Sequence, residues 1–312
     1  MSVLEKTLGA VLPHTSERRQ RSPKSLGDTW WRHVVGIVFS LIALFPVAYV
    51  ISAAFNADSS LSNSSLIPRH VTLDNFGKLL KPANSIQNTS SGALYGNWYL
   101  NSLIIASATA VLTVLLGALA AYAFSRFRFK GRRLGMLGLL LVQMFPQLLA
   151  IVAIYLIVLH VGKIFPVIGL NSLAGLTVVY LGGVLGVNTW LMKGFFDTIP
   201  AELDESARVD GATPAQVFWG IVLPLAAPVL AVIAFLSFVG VMGEFVLASV
   251  ILQTTNQFTL PLGLRFFIDA QYSEHWGPFA AGVVLAAIPI VILFMSLQRF
   301  FVRGLTGGSV KG

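Results

Sequence analysis

Glu205-Ser206-Ala207-Arg208-Val209-Asp210-Gly211, followed after nine intervening residues by Ile221-Val222-Leu223-Pro224, forms a charged island in an otherwise apolar chain. Carboxylates, a guanidinium and small side chains at this spacing suit ion pairing and close backbone approach at a docking surface. They do not suit catalysis. The chain has no Gly-x-x-x-x-Gly-Lys-Ser/Thr loop to cradle nucleotide phosphates, no paired-carboxylate arrangement and no Gly-x-Ser-x-Gly or His-x-x-x-His pattern. The absence of cysteine excludes disulfides, thiolate metal sites and cysteine catalysis, and the five histidines show no metal-ligand spacing. No catalytic residue, metal or cofactor is therefore expected on this polypeptide.

Local chemistry folds the island into two short helices. Pro200 suits a first helical turn, and Glu202, Asp204 and Glu205 add the negative charge that a helix N-terminus favours. Gly211 supplies a C-terminal stop. Thr213-Pro214-Ala215-Gln216 then reads as a capping box with proline at the first helical position. A bland alternative is an amphipathic connector lying in the membrane interface.

These helices need an anchor, and composition supplies it. Of 312 residues, 55% are hydrophobic and only 11% charged, against about 25% charged in soluble domains. Six apolar runs reach the ~20 residues that a membrane-crossing helix needs: roughly Val34–Phe55, Leu100–Phe124, Leu134–His160, Leu173–Met192, Ala226–Leu252 and Trp276–Leu297. The expected fold is an all-α integral membrane protein with six transmembrane helices and the charged loop between helices four and five. About thirty polar residues precede the first run, which argues against a signal peptide.

Of the 21 basic residues, sixteen fall on the side of the island and both termini, and five on the other. The positive-inside rule then makes that side cytoplasmic, and the net charge of +8 reflects topology more than nucleic-acid binding. The resulting division is a basic cytoplasmic tail at 1–33 and a transmembrane domain at 34–312. Within that domain lie outer loops at 56–97 and 253–275, the charged loop at 195–224 and a cytoplasmic C-terminal tail at 299–312. Val71–Phe76 reads as a short ordered element capped by Thr72 or Asp74. Asn63-Ser64-Ser65 and Asn88-Thr89-Ser90 match glycosylation acceptors, a pattern common by chance. The hairpin Phe124–Arg133 reads as a basic, aromatic membrane anchor.

Polar groups inside apolar runs are costly and face cavities or partner helices. Glu244 is the clearest case, read as structural pairing, as pathway lining at a subunit interface or as a direct contact with a bound solute. Asn188, Thr189, Gln143 and Gln147 are weaker candidates of the same kind. Pro46, Pro146 and Pro289 are expected to kink their helices.

Glu205-x-Ala207, Gly211 and Ile221-x-Leu223-Pro224 resemble, residue for residue and in spacing, the EAA motif of ATP-binding-cassette importer permeases, with Ser206 in place of its first alanine. Further segments are similar to the carbohydrate-uptake permeases: Asn101-Ser102, Ala121–Arg126, Thr72–Phe76, Phe258–Gly263, Trp276–Gly282 and the Gly-rich end Gly304–Gly312. Among these the chain looks most like the G-subunit type of the maltose/maltodextrin permeases, over about residues 30 to 312.

The resemblance implies that the loop is a coupling helix docking in a cleft of an ATPase subunit. Glu205, Ala207 and Gly211 would form its core, Arg208 and Asp210 its rim, with Ser206, Ile221, Leu223 and Pro224 completing the motif. It also implies two ATPase subunits, a second non-identical permease and an extracytoplasmic sugar-binding protein. The transported solute would be maltose or a maltodextrin, with trehalose or another oligosaccharide as the alternative. A self-sufficient secondary transporter is the competing class, supported by Glu244 alone.

Overall fold

Backbone N–H and C=O groups entering lipid have only each other to bond with, so apolar runs of this length become helices. The computed structural model describes residues 26–57, 66–68, 70–80, 92–268 and 276–307. Their regular structure is helical apart from one isolated antiparallel bridge, Asn56–Val71. Most of the basic tail, both glycosylation acceptors and the last five residues of the Gly-rich end lie outside the described residues.

The chain divides into two units, residues 1–48 and 49–312. The first carries most of α1 (Leu26–Phe55), where Phe39 and Ile42 are exposed as lipid-facing side chains would be. The second holds α2 (Asp74–Leu80), α3 (Gly92–Arg126), α4 (Arg132–Met144), α5 (Gln147–Ile164) and α6 (Leu173–Phe196). After these come α7 (Ala201–Val209), α8 (Pro214–Val217), a π-helical turn at Phe218–Val222 and α9 (Leu223–Leu225). The chain ends through α10 (Ala227–Met242), α11 (Val246–Ile251), α12 (Leu260–Leu264) and α13 (Trp276–Gly307).

The core of the second unit forms around α3, which packs on α6 and α10, while α10 also packs on α13. Ala106, Thr109, Ala110, Thr113, Ala118 and Ala121 line the buried side of α3. Small residues at three- and four-residue spacing let helices approach closely where lipid supplies no hydrophobic drive between them. Gly117 shows how close: a Cβ there would lie 3.2 Å from Sδ and Cε of Met192.

Two of the expected spans are broken. Among the described residues, four helical stretches are each long and apolar enough to cross a membrane: Trp30–Phe55, Leu94–Arg126, Leu173–Phe196 and Trp276–Phe300. The third expected run, Leu134–His160, bends by 108° between α4 and α5. Pro146 sits at the break, where it lacks an N–H for the helical ladder. A 76° bend separates Pro214–Leu225 from α10 at Ala226, the first residue of the fifth expected run, and Pro228 sits in the first turn of α10, where its missing N–H costs nothing. That run also stops at Met242 and restarts at Val246. Among the described residues the number of spans is thus four, or up to six if each bent pair forms one.

Helix ends overrun the expected boundaries, because helices persist past the apolar stretch that defines a span. α1 starts inside the expected tail at 1–33, α3 starts inside the expected outer loop at 56–97, and α13 continues into the expected tail at 299–312. At α2 the cap falls to Thr72, whose hydroxyl accepts from the Asp74 N–H at 3.1 Å, and Asp74 takes the first turn.

The N-terminal end of α3 organises the segment after α11. Trp98 donates to the Thr255 carbonyl at 2.7 Å, Asn101 to the carbonyls of Asn256 and Phe258 at 2.9 and 3.0 Å, and the Ser102 hydroxyl accepts from the Leu260 N–H at 2.7 Å. Gly263 lies flat on the Trp98 indole, with a hypothetical Cβ only 2.1 Å from the ring.

Candidate functional site

The charged island is a two-helix knob. Ala201–Val209 forms α7, with Pro200 at the cap position, one residue before the expected one. Glu202 and Asp204 occupy the first turn and Arg208 the last, the order that the helix dipole favours. The Gly211 N–H then bonds the Arg208 carbonyl at 3.0 Å and the Ala212 N–H the Ala207 carbonyl at 2.9 Å. This closing pattern needs a left-handed residue, and Gly211 supplies it with φ of 86°. Thr213 restarts the chain with a complete capping box to Gln216.

The inner side of the knob is apolar. Val217, Phe218 and Val222 are buried against Ala118, Ala121 and Tyr122 of α3 and Met192 and Phe196 of α6, with Ala207, Ala212, Ile221 and Leu223 packed alongside. The π-helical turn at Phe218–Val222 inserts one extra residue into the helical ladder and leaves Trp219 exposed.

The motif residues consequently split into two sets. Glu205, Ser206, Arg208, Asp210, Gly211 and Pro224 are exposed, whereas Ala207, Ile221 and Leu223 are half-buried against the body of the protein. The expected docking core of Glu205, Ala207 and Gly211 therefore presents Glu205 and Gly211 outward, with Ala207 turned largely inward. Two residues passed over in the sequence join the outer face: Leu203 is exposed, and Val209 is 87% exposed at the tip of α7. The signal was there, since Val209 is an isolated apolar residue between Arg208 and Asp210.

Asp204 departs furthest from its sequence reading. It is not a solvated dipole partner but is buried, with Oδ2 2.8 Å from Nε of Arg126 at the end of α3. The two atoms are not aligned for a hydrogen bond, so the contact is one of opposite charges. Arg126 also donates through Nη2 to the Ile199 carbonyl at 2.9 Å. One turn earlier, the Tyr122 hydroxyl donates to the Pro214 carbonyl at 3.3 Å, and the Arg208 guanidinium lies beside that hydroxyl.

Asp197, just beyond α6, accepts from Ser125 at 2.6 Å and Lys193 at 2.5 Å. Burial works to raise its pKa, but the hydrogen bonds from Lys193 and Ser125 prevail and hold the carboxyl below its ordinary value.

The polar residues within the apolar runs are not gathered at one point. Glu244, Asn188 and Gln143 are engaged inside the chain, each through a bond that has one end on α6. Glu244 lies in the break between α10 and α11, where it accepts from the Tyr180 hydroxyl at 2.5 Å and the N–H groups of Leu247 and Ala248 at 2.8 and 3.1 Å. Those two donors would otherwise be orphaned by the helix restart. Asn188 donates to the Ser237 hydroxyl at 3.4 Å, and Gln143 to the Gly183 carbonyl at 2.7 Å. Gln143 also lines a largely apolar cleft of about 990 Å³ beside Pro146, Ile154, Val179 and Gly183. Among the described residues no cluster of three or more His, Asp or Glu could hold a metal ion.

Residues 113–307, which include the whole knob, match the family profile described as binding-protein-dependent transport system inner membrane component. The galactooligosaccharides transport system permease protein GanQ of Bacillus subtilis (strain 168) is 39% identical, covering 92% of this chain and 100% of the relative. The maltose/maltodextrin transport system permease protein MalG of Vibrio vulnificus (strain YJ016) is 38% identical over 91% of this chain and 96% of its own length. The Escherichia coli (strain K12) MalG is 37% identical over 90% and 95%. In solved structures, a bacterial ABC transporter involved in the import of the acidic polysaccharide alginate contains a chain similar at a TM-score of 0.71 and 23% identity. That likeness covers 89% of this chain and 98% of that one. A bacterial alginate ABC transporter in complex with an alginate pentasaccharide-bound periplasmic protein gives 0.57 at 17%. At such identities the likeness speaks for the fold.

Proposed function

The chain belongs to the inner membrane components of binding-protein-dependent transport systems, and from that premise we propose that it is a permease subunit of an ATP-driven oligosaccharide importer. It is a transport component and a multi-pass membrane protein, not an enzyme. It works with a second, non-identical permease, two separate ATPase subunits and an extracytoplasmic sugar-binding protein. Both termini lie in the cytoplasm, a reading that the sixteen-to-five division of basic residues supports. The cargo is a maltose- or maltodextrin-type oligosaccharide. Relatives named for maltodextrin and for galactooligosaccharides stand at 38% and 39% identity, so galactooligosaccharides are the alternative cargo.

The observation that carries the coupling role is the knob itself. Its inner face is buried on α3 and α6, while Glu205, Arg208, Asp210 and Gly211 remain exposed on a rigid, doubly capped tip. A surface this ordered and this polar fits the cleft of an ATPase subunit. Glu205 pairs there with a basic group, and Gly211 lets the two backbones approach. Nucleotide chemistry stays on the partner, and this chain receives its movement. Glu244, which a coupling-ion pathway would need free, is already held by three donors, so the self-sufficient transporter loses its support.

Reconstitution in proteoliposomes tests the proposal. Uptake of labelled maltodextrin is expected only when this chain is combined with its ATPase, its partner permease and the binding protein, with ATP inside. Uptake by this chain alone, without ATP, would overturn it.

A further inference from the structure

Three side chains on one face of α3 grip the knob at separate places. Ser125 holds Asp197 ahead of α7 at 2.6 Å. Arg126 holds α7 itself through Asp204 at 2.8 Å, and the preceding turn through the Ile199 carbonyl at 2.9 Å. Tyr122 holds the start of α8 through the Pro214 carbonyl, and its ring lies 5.0 Å from that of Phe218. Positions 122, 125 and 126 are three and four residues apart, so they share one helix face.

The Arg126–Asp204 pair stands at the centre of this bracket. Its side chains are only 10% and 5% exposed. A pair so shielded is screened little by salt, and loss of either partner strands a buried charge. Arginine is also the residue that the geometry needs. Nε faces the carboxylate while Nη2 reaches a carbonyl five residues before Asp204, and a lysine has one nitrogen to offer.

Resting on the docking role given above, we propose that Arg126 is a positioning residue for transport. Paired with Asp204, it fixes the angle of the knob to α3. A push on the exposed tip then moves the membrane-spanning helix, where otherwise it would flex the short link at Thr198–Pro200. The pair faces inward and takes no part in the docking surface. Its loss separates ATP hydrolysis from transport while the ATPase stays bound.

The test measures three quantities on the complete importer in proteoliposomes: ATPase co-purification, binding-protein-stimulated hydrolysis, and sugar moved per ATP. The variants are Arg126→Ala, Arg126→Lys, Asp204→Asn and the reversed pair Arg126→Asp with Asp204→Arg. With Arg126→Ala and Asp204→Asn, the ATPase is expected to co-purify as in the wild type. Sugar moved per ATP falls roughly tenfold, within the range that coupling between two sites commonly carries. Arg126→Lys recovers part of the loss, and the reversed pair recovers more than either of its single changes. If Arg126→Ala fails to accumulate in the membrane, the nearly isosteric Asp204→Asn decides the question. A wild-type ratio in Asp204→Asn overturns the inference, as does loss of ATPase co-purification, which would make the pair part of the docking surface. A wild-type chain that recruits no ATPase would instead defeat the importer role, and the inference with it.

Discussion

The Ala212 N–H donates to the Ala207 carbonyl at 2.9 Å, closing α7 through a left-handed Gly211. Within the chain, a Cβ at Gly211 would meet nothing within 4 Å. The intrinsic cost of Gly211→Ala is therefore backbone strain alone, ~1–2 kcal/mol, and the folded protein tolerates it. Greater damage to uptake than to stability then reports a partner pressed against that position. Gly211→Asp and Glu205→Lys are expected to leave the protein inserted and to abolish sugar uptake through lost ATPase coupling. Membrane abundance by immunoblot and uptake of labelled sugar check this, and normal uptake in both variants would remove the docking assignment.

Glu244 serves three donors at once: the Tyr180 hydroxyl and the N–H groups of Leu247 and Ala248. Glu244→Ala is expected to destabilise the protein markedly, since each buried group left unsatisfied costs ~1–3 kcal/mol. Glu244→Gln keeps one acceptor oxygen and should lose less. Thermal denaturation in detergent ranks the two. A Glu244→Ala protein as stable as wild type, yet inactive, would point to sugar or ion handling instead.

Gly263 admits no side chain. A methyl group there would overlap the Trp98 indole, which its bond to the Thr255 carbonyl holds in place. Gly263→Ala is expected to cost ~1–3 kcal/mol or more as the segment around α12 shifts. The combined change Gly263→Ala with Trp98→Phe should recover part of that loss, because the six-membered ring is smaller. Fluorescence-detected gel filtration of the heated protein gives the comparison.

Below neutral pH the link ahead of the knob weakens in a definable way. The Asp197 carboxyl, partly exposed but held by Lys193 and Ser125, titrates below its ordinary value, so the folded chain binds fewer protons there than the unfolded one. Its contribution is complete above the ordinary carboxylate pKa and is lost as pH falls through the lowered one. Stability measured between about pH 3 and pH 6 should therefore decline less steeply in Asp197→Asn than in the wild type. Parallel acid limbs would show that the contact contributes nothing.

Much of this was legible without coordinates because it depends on neighbours in the chain. Apolar length marks helices for lipid. Pro200, Gly211 and Thr213-Pro214-Ala215-Gln216 mark helix ends through contacts within a few residues, and α7 and α8 formed where those signals stood. The motif at 205–224 pointed to the permease family, which the match over residues 113–307 bears out. Pro146 was read as a kink and proved to be a break, since one-dimensional hydropathy averages across it.

Tertiary structure alone decided which groups meet. Arg126 read as one more basic anchor and Asp204 as a dipole partner. Only folding brings them to 2.8 Å, because no local rule relates residues 78 positions apart on different helices. The same holds for Glu244 and Tyr180, and for Asn101 with the Asn256 and Phe258 carbonyls. It also divided the motif, turning Ala207, Ile221 and Leu223 inward and leaving Glu205 and Gly211 in view. Spacing along a chain shows which residues share an element, but which face of that element is buried depends on what packs against it.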